Sequence, residues 1–177
     1  QSVLESAFKG LFTLVWRVKH SKKKPAEQII KQVRSEKEKA AKNNGFKLPL
    51  IEEVNKEELL LLPCLPETWT WITPDEISAP EKYSIGIGPF GSNLKVSDYK
   101  TEGVPLVFVK NITRNNFTLD LKFITEHKLK ELIAHSIKPL DIVITKMGDP
   151  PGDCAIYPEN RPIAVITSDC LKFRVWD

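Results

Sequence analysis

The sequence predicts an α+β fold, with an N-terminal helical segment followed by a small mixed α/β domain built around a twisted sheet. Apolar residues recur at helical spacing in the first third of the chain. The remainder contains short β-branched segments separated by Gly, Pro and Asn, which is typical of strands. One helical pattern interrupts these segments, so the second part is α+β by itself.

The helical segment opens with apolar residues at alternating spacings of four and three, as in a helix that packs along another helix. This stripe, the apolar seam, consists of Leu4, Phe8, Leu11, Val15 and Val18. Gly10 lies within it and costs about 1 kcal/mol relative to Ala inside a helix, so a helix end or kink competes with a continuous helix. In either case the seam predicts a partner helix.

A second helix is predicted from Pro25 to about Lys42, because proline suits the first helical turn and Asn44-Gly45 supplies a stop. Residues 47–64 mix acidic residues, prolines and a run of leucines, which predicts a connector with at most a short helix.

The second part contains the predicted strands and one predicted helix. The helix runs from Glu126 to about His135, with Thr125 placed to cap its first turn. The segments predicted as strands are Leu106–Lys110, Asp141–Lys146, Ile163–Thr167 and Leu171–Trp176.

Composition restricts the classes of protein to consider. No apolar run approaches the roughly 20 residues of a membrane helix. Cys64, Cys154 and Cys170 lie far apart without a CxxC spacing, which argues against a disulfide framework or a zinc site and favours a cytoplasmic location. The net charge of +3 divides into +5 for residues 1–63 and −2 for residues 64–177. The chain starts without Met, so we expect a piece of a longer protein.

Three short motifs suggest enzymes but lack the context that the chemistry requires. Residues 86–91 fit GxGxxG, yet no helical pattern follows to bind a pyrophosphate. The same glycines imitate a kinase loop, but the catalytic aspartate and Asp-Phe-Gly are missing. Asp149-Pro150-Pro151-Gly152 imitates the Asp/Asn-Pro-Pro-aromatic motif of methyltransferases that act on the exocyclic amine of a base. It has no aromatic fourth residue, so a turn between strands is the better interpretation. We therefore expect no catalytic residues, no cofactor and no metal.

Six matches to one family, the first of them made of two segments, follow in order along nearly the whole chain. They are QSVLESAFKGLFTLVWR with PAEQIIKQVRSEK, then LPETWTW, GPFGSNLKVSDY, GVPLVFVKNI, KPLDIVITKMGDPPGDCAIYP and AVITSDCLKFRV. Together they resemble the specificity subunit of type I restriction-modification enzymes. The first segment resembles the end of its central conserved helix, and the segments from Leu65 onward resemble its second target recognition domain.

The resemblance implies a division into residues 1–46, the end of the spacer helix with the following helix; 47–64, a linker; and 65–177, the target recognition domain. It also implies a non-catalytic protein that binds double-stranded DNA and positions methyltransferase and restriction subunits on a bipartite site. The family's recognition domain continues beyond the match at Asp177, so we expect a C-terminally truncated domain.

Recognition of DNA requires polar side chains on loops that reach base edges and phosphates. Three loops supply such side chains: one after the glycine-rich turn, one after the strand that starts at Leu106, and one at the end of the strand from Asp141. The candidate DNA-binding residues are Ser92, Asn93, Lys95, Lys110, Asn111, Arg114, Asn115, Asn116 and Lys146. Phe90, Tyr99, Trp69 and Trp71 are predicted to lie in the core.

Two other functions stay open at the level of sequence. A single-chain restriction-methylation enzyme fuses the same recognition domain to a methyltransferase. An RNA-binding β-barrel module is suggested only by the strand pattern of residues 141–146.

Overall fold

A computed structural model describes residues 2–20 and 24–176 of the chain. It divides into two compact units, Gln1–Ile77 and Ser78–Asp177. The first unit is helical, and the second combines two four-stranded sheets with short helices. The predicted α+β class is therefore confirmed.

The first unit begins with two short helices in place of one continuous helix. Helix α1 (Val3–Phe8) stops before Gly10, whose φ of +66° is left-handed. A 3₁₀ turn (Leu11–Thr13) and helix α2 (Leu14–Lys19) follow. Of the two possibilities left open at Gly10, the structure has the interruption, because a left-handed residue redirects the chain.

The rest of the first unit contains helices α3 (Ala26–Asn43), α4 (Lys56–Leu61) and α5 (Pro74–Ile77). Helix α3 starts after Pro25 and ends before Gly45, whose φ is +65°, as predicted. Its Lys37 is buried and donates to the carbonyl oxygen of Asp75 at 2.6 Å, at the start of α5. This contact holds α5 against α3. The boundary between the compact units therefore lies after residue 77, whereas the resemblance suggested a domain beginning at residue 65.

The first sheet of the second unit is entirely antiparallel. Its strand order is β1 (Ile85–Ile87), β8 (Cys170–Phe173), β5 (Ile142–Thr145) and β6 (Cys154–Ile156).

The second sheet contains one parallel pair of strands at its centre, flanked by antiparallel neighbours. Its strand order is β3 (Phe123–Ile124), β2 (Val104–Val107), β7 (Ala164–Ile166) and β4 (Ser136–Ile137). The sequence predicts strands at the positions of β2, β5, β7 and β8 but not their division between two sheets.

The main core lies between the two sheets. It combines Val107 and Ile166 of the second sheet with Val143 and Cys170 of the first. Alternate residues of the central strands, such as Leu106 and Val165, face a second apolar cluster, which includes Leu129 and Leu132. Both faces of the second sheet are thus covered, and β2 is buried along its whole length.

Two short helices complete this unit. Helix α7 (Glu126–Glu131) begins where predicted, with the Thr125 hydroxyl accepting a hydrogen bond from the Lys128 amide at 3.1 Å. Helix α6 (Val109–Thr113) corrects the predicted strand Leu106–Lys110, because β2 ends at Val107. A carboxamide oxygen of Asn111 accepts from the Phe108 amide at 2.9 Å and caps this helical turn.

Candidate nucleic-acid interface

The register of the first sheet brings four strand ends to one edge. Ile87 at the end of β1 lies opposite Leu171 near the start of β8. Thr145 at the end of β5 pairs with Cys170, and Ile144 pairs with Cys154 at the start of β6. The loops after β1 and β5 therefore leave the sheet at the end where β6 and β8 begin.

The loops that follow β2 and β7 of the second sheet lie at the same end as those that follow β1 and β5 of the first. Val107 and Ile166 are parallel partners, so β2 and β7 finish together. The Thr167 amide donates to Val107 O at 3.0 Å, and the Gly88 amide donates to Cys170 O at 3.0 Å. The first bond lies at this end of the second sheet and the second bond at this end of the first sheet, and residues 167–169 connect β7 to β8 there. We call this the loop end, formed by residues 88–95, 108–116, 133–135, 146–153 and 167–169.

The glycine-rich turn at the loop end is packed tightly at its base. A Cβ atom on Gly88 would lie 1.9 Å from the carbonyl oxygen of Thr167, so only glycine fits. Pro89 is buried, and Phe90 is 65 % exposed. The predicted core position of Phe90 is therefore wrong, because the buried Gly88-Pro89 pair places the next side chain outside. Ser92, Asn93 and Lys95 are exposed, as surface contacts require.

The loop between β5 and β6 has a fixed base and an exposed tip. The amides of Lys146 and Met147 both donate to Asp169 O, at 2.7 and 3.3 Å, and the Gly152 amide donates to Thr145 O at 3.0 Å. Residues 147–153 are exposed. The Lys146 Nζ atom lies 5.6 Å from the ring centroid of Phe90, which connects this loop to the glycine-rich turn. Asp149 to Gly152 form part of a turn between strands, as predicted.

Some polar residues around α6 form hydrogen bonds within the loop, whereas others are exposed. Asn111 is buried, and its carboxamide also donates to the carbonyl oxygens of Asn116 at 3.1 Å and Leu119 at 2.9 Å. The prediction that Asn111 contacts DNA is therefore wrong, because its polar atoms brace the loop. The Asn116 side chain is also used locally, as an acceptor from the Thr118 amide at 3.0 Å.

Lys110, Arg114 and Asn115 are the remaining candidates near α6. The Lys110 Nζ atom lies 3.1 Å from a carboxylate oxygen of Asp120, so its charge is partly neutralised. Arg114 and Asn115 are exposed. Among the described residues, neither Arg114, Lys95 nor Lys146 forms an ion pair.

A polar cavity of about 380 Å³ adjoins the glycine-rich turn. Four of its lining residues were not predicted from the sequence: Lys128, Glu131, Leu132 and His135. The His135 Nδ1 atom lies 2.6 Å from Ile87 O, a contact that a ring N–H donor satisfies. The Lys128 ammonium donates a hydrogen bond to the Glu131 carboxylate at 2.8 Å, and this bond raises the pKa of the lysine. The remaining lining residues are the predicted site residues Ser92 and Asn93.

The predicted apolar seam lies in the first unit and is largely exposed. Leu4, Val15 and Val18 are 66–71 % exposed. The Phe8 ring lies 5.6 Å from that of Trp71. The interruption at Gly10 divides the seam between α1 and α2, so it is not one straight helical stripe.

The described residues contain no group of three or more His, Cys, Asp or Glu side chains placed to hold a metal ion. Burial raises the pKa of the Cys170 thiol to about 11, so this thiol is protonated and unsuited to nucleophilic attack. Within residues 2–20 and 24–176, no helix is long and apolar enough to cross a membrane.

Comparison with known proteins gives no assignment: neither the protein-family models nor the curated protein sequences produce a match to this chain.

Proposed function

We propose that the second unit is a sequence-specific DNA-recognition module of a type I specificity subunit. In this role it positions methyltransferase and restriction subunits on a bipartite double-stranded site and performs no catalysis itself. One observation carries the proposal: loops from both sheets meet at a single end, where they present exposed polar and cationic side chains on a buried core. Rigid scaffolds with clustered loops are a common way to build a binding surface.

The chemistry of the loop end favours base recognition over simple attraction to phosphate. Lys95, Arg114 and Lys146 supply donors, and the arginine fork matches the two acceptors of guanine. Exposed carboxylates of Asp149, Asp153 and Asp169 lie in the same loops. Carboxylates repel phosphates but accept hydrogen bonds from the amino group of cytosine. A mixed set of donors and acceptors is what a reader of base edges requires.

The apolar seam of the first unit supports the proposed partners. Leu4, Leu11, Val15 and Val18 expose apolar surface that a partner helix would bury, as the spacer helices and methyltransferase subunits would in this family. We place the assembly in the cytoplasm, where such enzymes meet DNA.

Selection from a random duplex pool tests DNA recognition. We expect the chain, alone and assembled with its methyltransferase subunits, to enrich one short motif, with a salt slope of about −2 if Lys95 and Lys146 contact phosphates and Arg114 contacts a base. Substituting Lys95, Arg114 and Lys146 with Ala should abolish the enrichment. A matched control replaces Lys82 and Lys138, which lie at the other end of the sheets.

Failure to enrich any motif, or equal loss in the control variant, would contradict the proposed interface. Preference for structured RNA over duplex DNA would instead support the RNA-binding alternative. Turnover of S-adenosylmethionine by the purified chain would favour an enzyme.

The partner role is tested separately with Leu11→Asp. Burial of a leucine contributes about 1.5–3 kcal/mol, so we expect assembly with the methyltransferase subunits to weaken at least tenfold. Leu61→Asp is the control, because Leu61 is 87 % exposed on α4, outside the seam. Normal assembly by a folded Leu11→Asp chain would exclude the seam as a partner surface.

A further inference from the structure

Phe90 is the largest apolar side chain exposed on the glycine-rich turn. Phe90 is 65 % exposed, although contact between an apolar phenyl ring and water is energetically unfavourable. The turn below it is held by the close approach of Gly88 to Thr167 and by the bond from the Asn93 amide to Phe90 O at 2.8 Å. The ring is therefore presented from a fixed backbone rather than from a loose loop.

Lys146 restricts what this ring can contact. Its ammonium group lies over the ring, 5.6 Å from the centroid, as in a cation–π pair. Inserting the ring between two bases would require both faces of the ring and would also unstack the bases. Contact through the ring edge leaves the lysine in place and leaves the duplex stacked. The apolar group that a stacked duplex offers in its major groove is the 5-methyl group of thymine.

We propose that Phe90 is a specificity-determining residue that recognises thymine by burying its 5-methyl group, while Lys146 contacts the neighbouring phosphate or guanine. This inference rests on the proposed DNA-recognition function and adds the base that one position of the target must contain. Ser92 and Asn93, exposed on the same turn, supply donors for adjacent base edges.

Deoxyuridine scanning of the selected duplex tests the inference, because uracil differs from thymine only by the missing methyl group. Each thymine is replaced singly, and affinity is measured for the wild-type chain and for Phe90→Ala. At one position we expect deoxyuridine to weaken wild-type binding about fourfold, which corresponds to the ~0.8 kcal/mol of one buried methyl group. Phe90→Ala should bind the thymine and deoxyuridine duplexes equally.

Tyr83→Ala is the matched control. Tyr83 is a 41 % exposed aromatic residue with Lys82 Nζ 4.8 Å from its ring centroid, but it precedes β1 and lies at the other end of the sheets. This variant should keep the fourfold discrimination of the wild-type chain.

Three results would overturn the inference while leaving DNA recognition intact. These are a selected motif without thymine, deoxyuridine discrimination that survives in Phe90→Ala, and brightening of 2-aminopurine beside the thymine on binding, which indicates an opened base step. Absence of any duplex binding by the wild-type chain would instead remove the proposed function.

Discussion

The two ends of the second unit differ in whether their cationic side chains form ion pairs. At the loop end, Lys95 and Arg114 are exposed and without ion pairs among the described residues. At the other end, Arg174 forms two hydrogen bonds with the buried Asp141 carboxylate, including one of 2.7 Å from Nε, and also pairs with Glu81. We call Glu81, Lys138, Asp141 and Arg174 the paired end.

The comparison shows which charges stabilise the fold and which are available for binding. Asp141 also accepts from the Lys138 amide at 2.8 Å, so its oxygens are satisfied within the chain. Burial opposes ionisation of Glu81, but Arg174 and Lys138 lower its pKa below the ordinary range. A buried charge requires such partners, whereas an exposed cation keeps its water and can exchange it for DNA.

The largest effect is expected at the paired end. Arg174→Met would leave the Asp141 carboxylate buried without its cation, so we expect the free energy of unfolding to fall by about 3–5 kcal/mol. Amide hydrogen exchange in β5 and β8 measures this loss. Lys138→Met is the control, because its pair with Glu81 is half-exposed at 3.4 Å and should contribute less than about 1 kcal/mol. Equal losses in both variants would show that burial does not distinguish these pairs.

Gly88→Ala should disrupt the base of the loop end. The added methyl group would meet the Thr167 backbone at 1.9 Å, so the turn or the strand must shift. We expect a loss of about 2–3 kcal/mol, measured by hydrogen exchange, together with weaker DNA binding. Gly91→Ala is the matched control, since no atom lies within 4 Å of its would-be Cβ atom. A neutral Gly88→Ala would mean that the turn is not held as described.

Lys172, which lies between the two ends, should make the stability of the fold depend on pH. Its side chain is buried, and Nζ donates to Ser136 O at 2.6 Å. Burial lowers its pKa to about 8, with repulsion from Arg174 and Lys138 opposed by attraction to Asp141 and Glu81. The unfolded chain therefore binds more protons than the folded chain above this pH. Stability should rise with pH through this region.

Denaturant titrations from pH 7 to 10 would measure this effect as the difference between the wild-type chain and Lys172→Met. We expect the wild-type chain to gain about 2 kcal/mol over that range relative to the variant. A constant difference between the two chains would mean that Lys172 has the same pKa in the folded and unfolded states.

The smallest effects separate two cations that are close in sequence. Arg114→Ala should weaken binding to the selected duplex by about 1.5 kcal/mol and leave non-specific duplexes little changed, as expected for a base contact. Lys110→Ala should cost less than about 0.5 kcal/mol because Asp120 already neutralises Lys110. Fluorescence anisotropy at several salt concentrations distinguishes them. A larger loss for Lys110→Ala on all duplexes, with a shallower salt slope, would identify Lys110 as a phosphate contact despite its pairing.

Local patterns in the sequence were sufficient for much of the fold. Helix α3 follows from proline at its start and Asn44-Gly45 at its end, and α7 follows from the Thr125 cap. The β-branched segments identified four strands, because a strand's preference for such residues acts at short range. The same local reasoning excluded a dinucleotide loop at residues 86–91, where the structure likewise places no helix directly after β1.

The tertiary structure alone decided which polar and aromatic side chains are available. Asn111 and Asn116 stand beside Arg114 in the sequence, yet Asn111 is buried and Asn116 bonds locally because the loop's backbone groups need partners. Phe90 is exposed because Gly88 packs against Thr167, nearly eighty residues away. The sequence by itself determined helices α3 and α7, four of the eight described strands and the residue types at the candidate interface. Strand register between distant segments decided that these loops share one end, since no local pattern encodes that pairing.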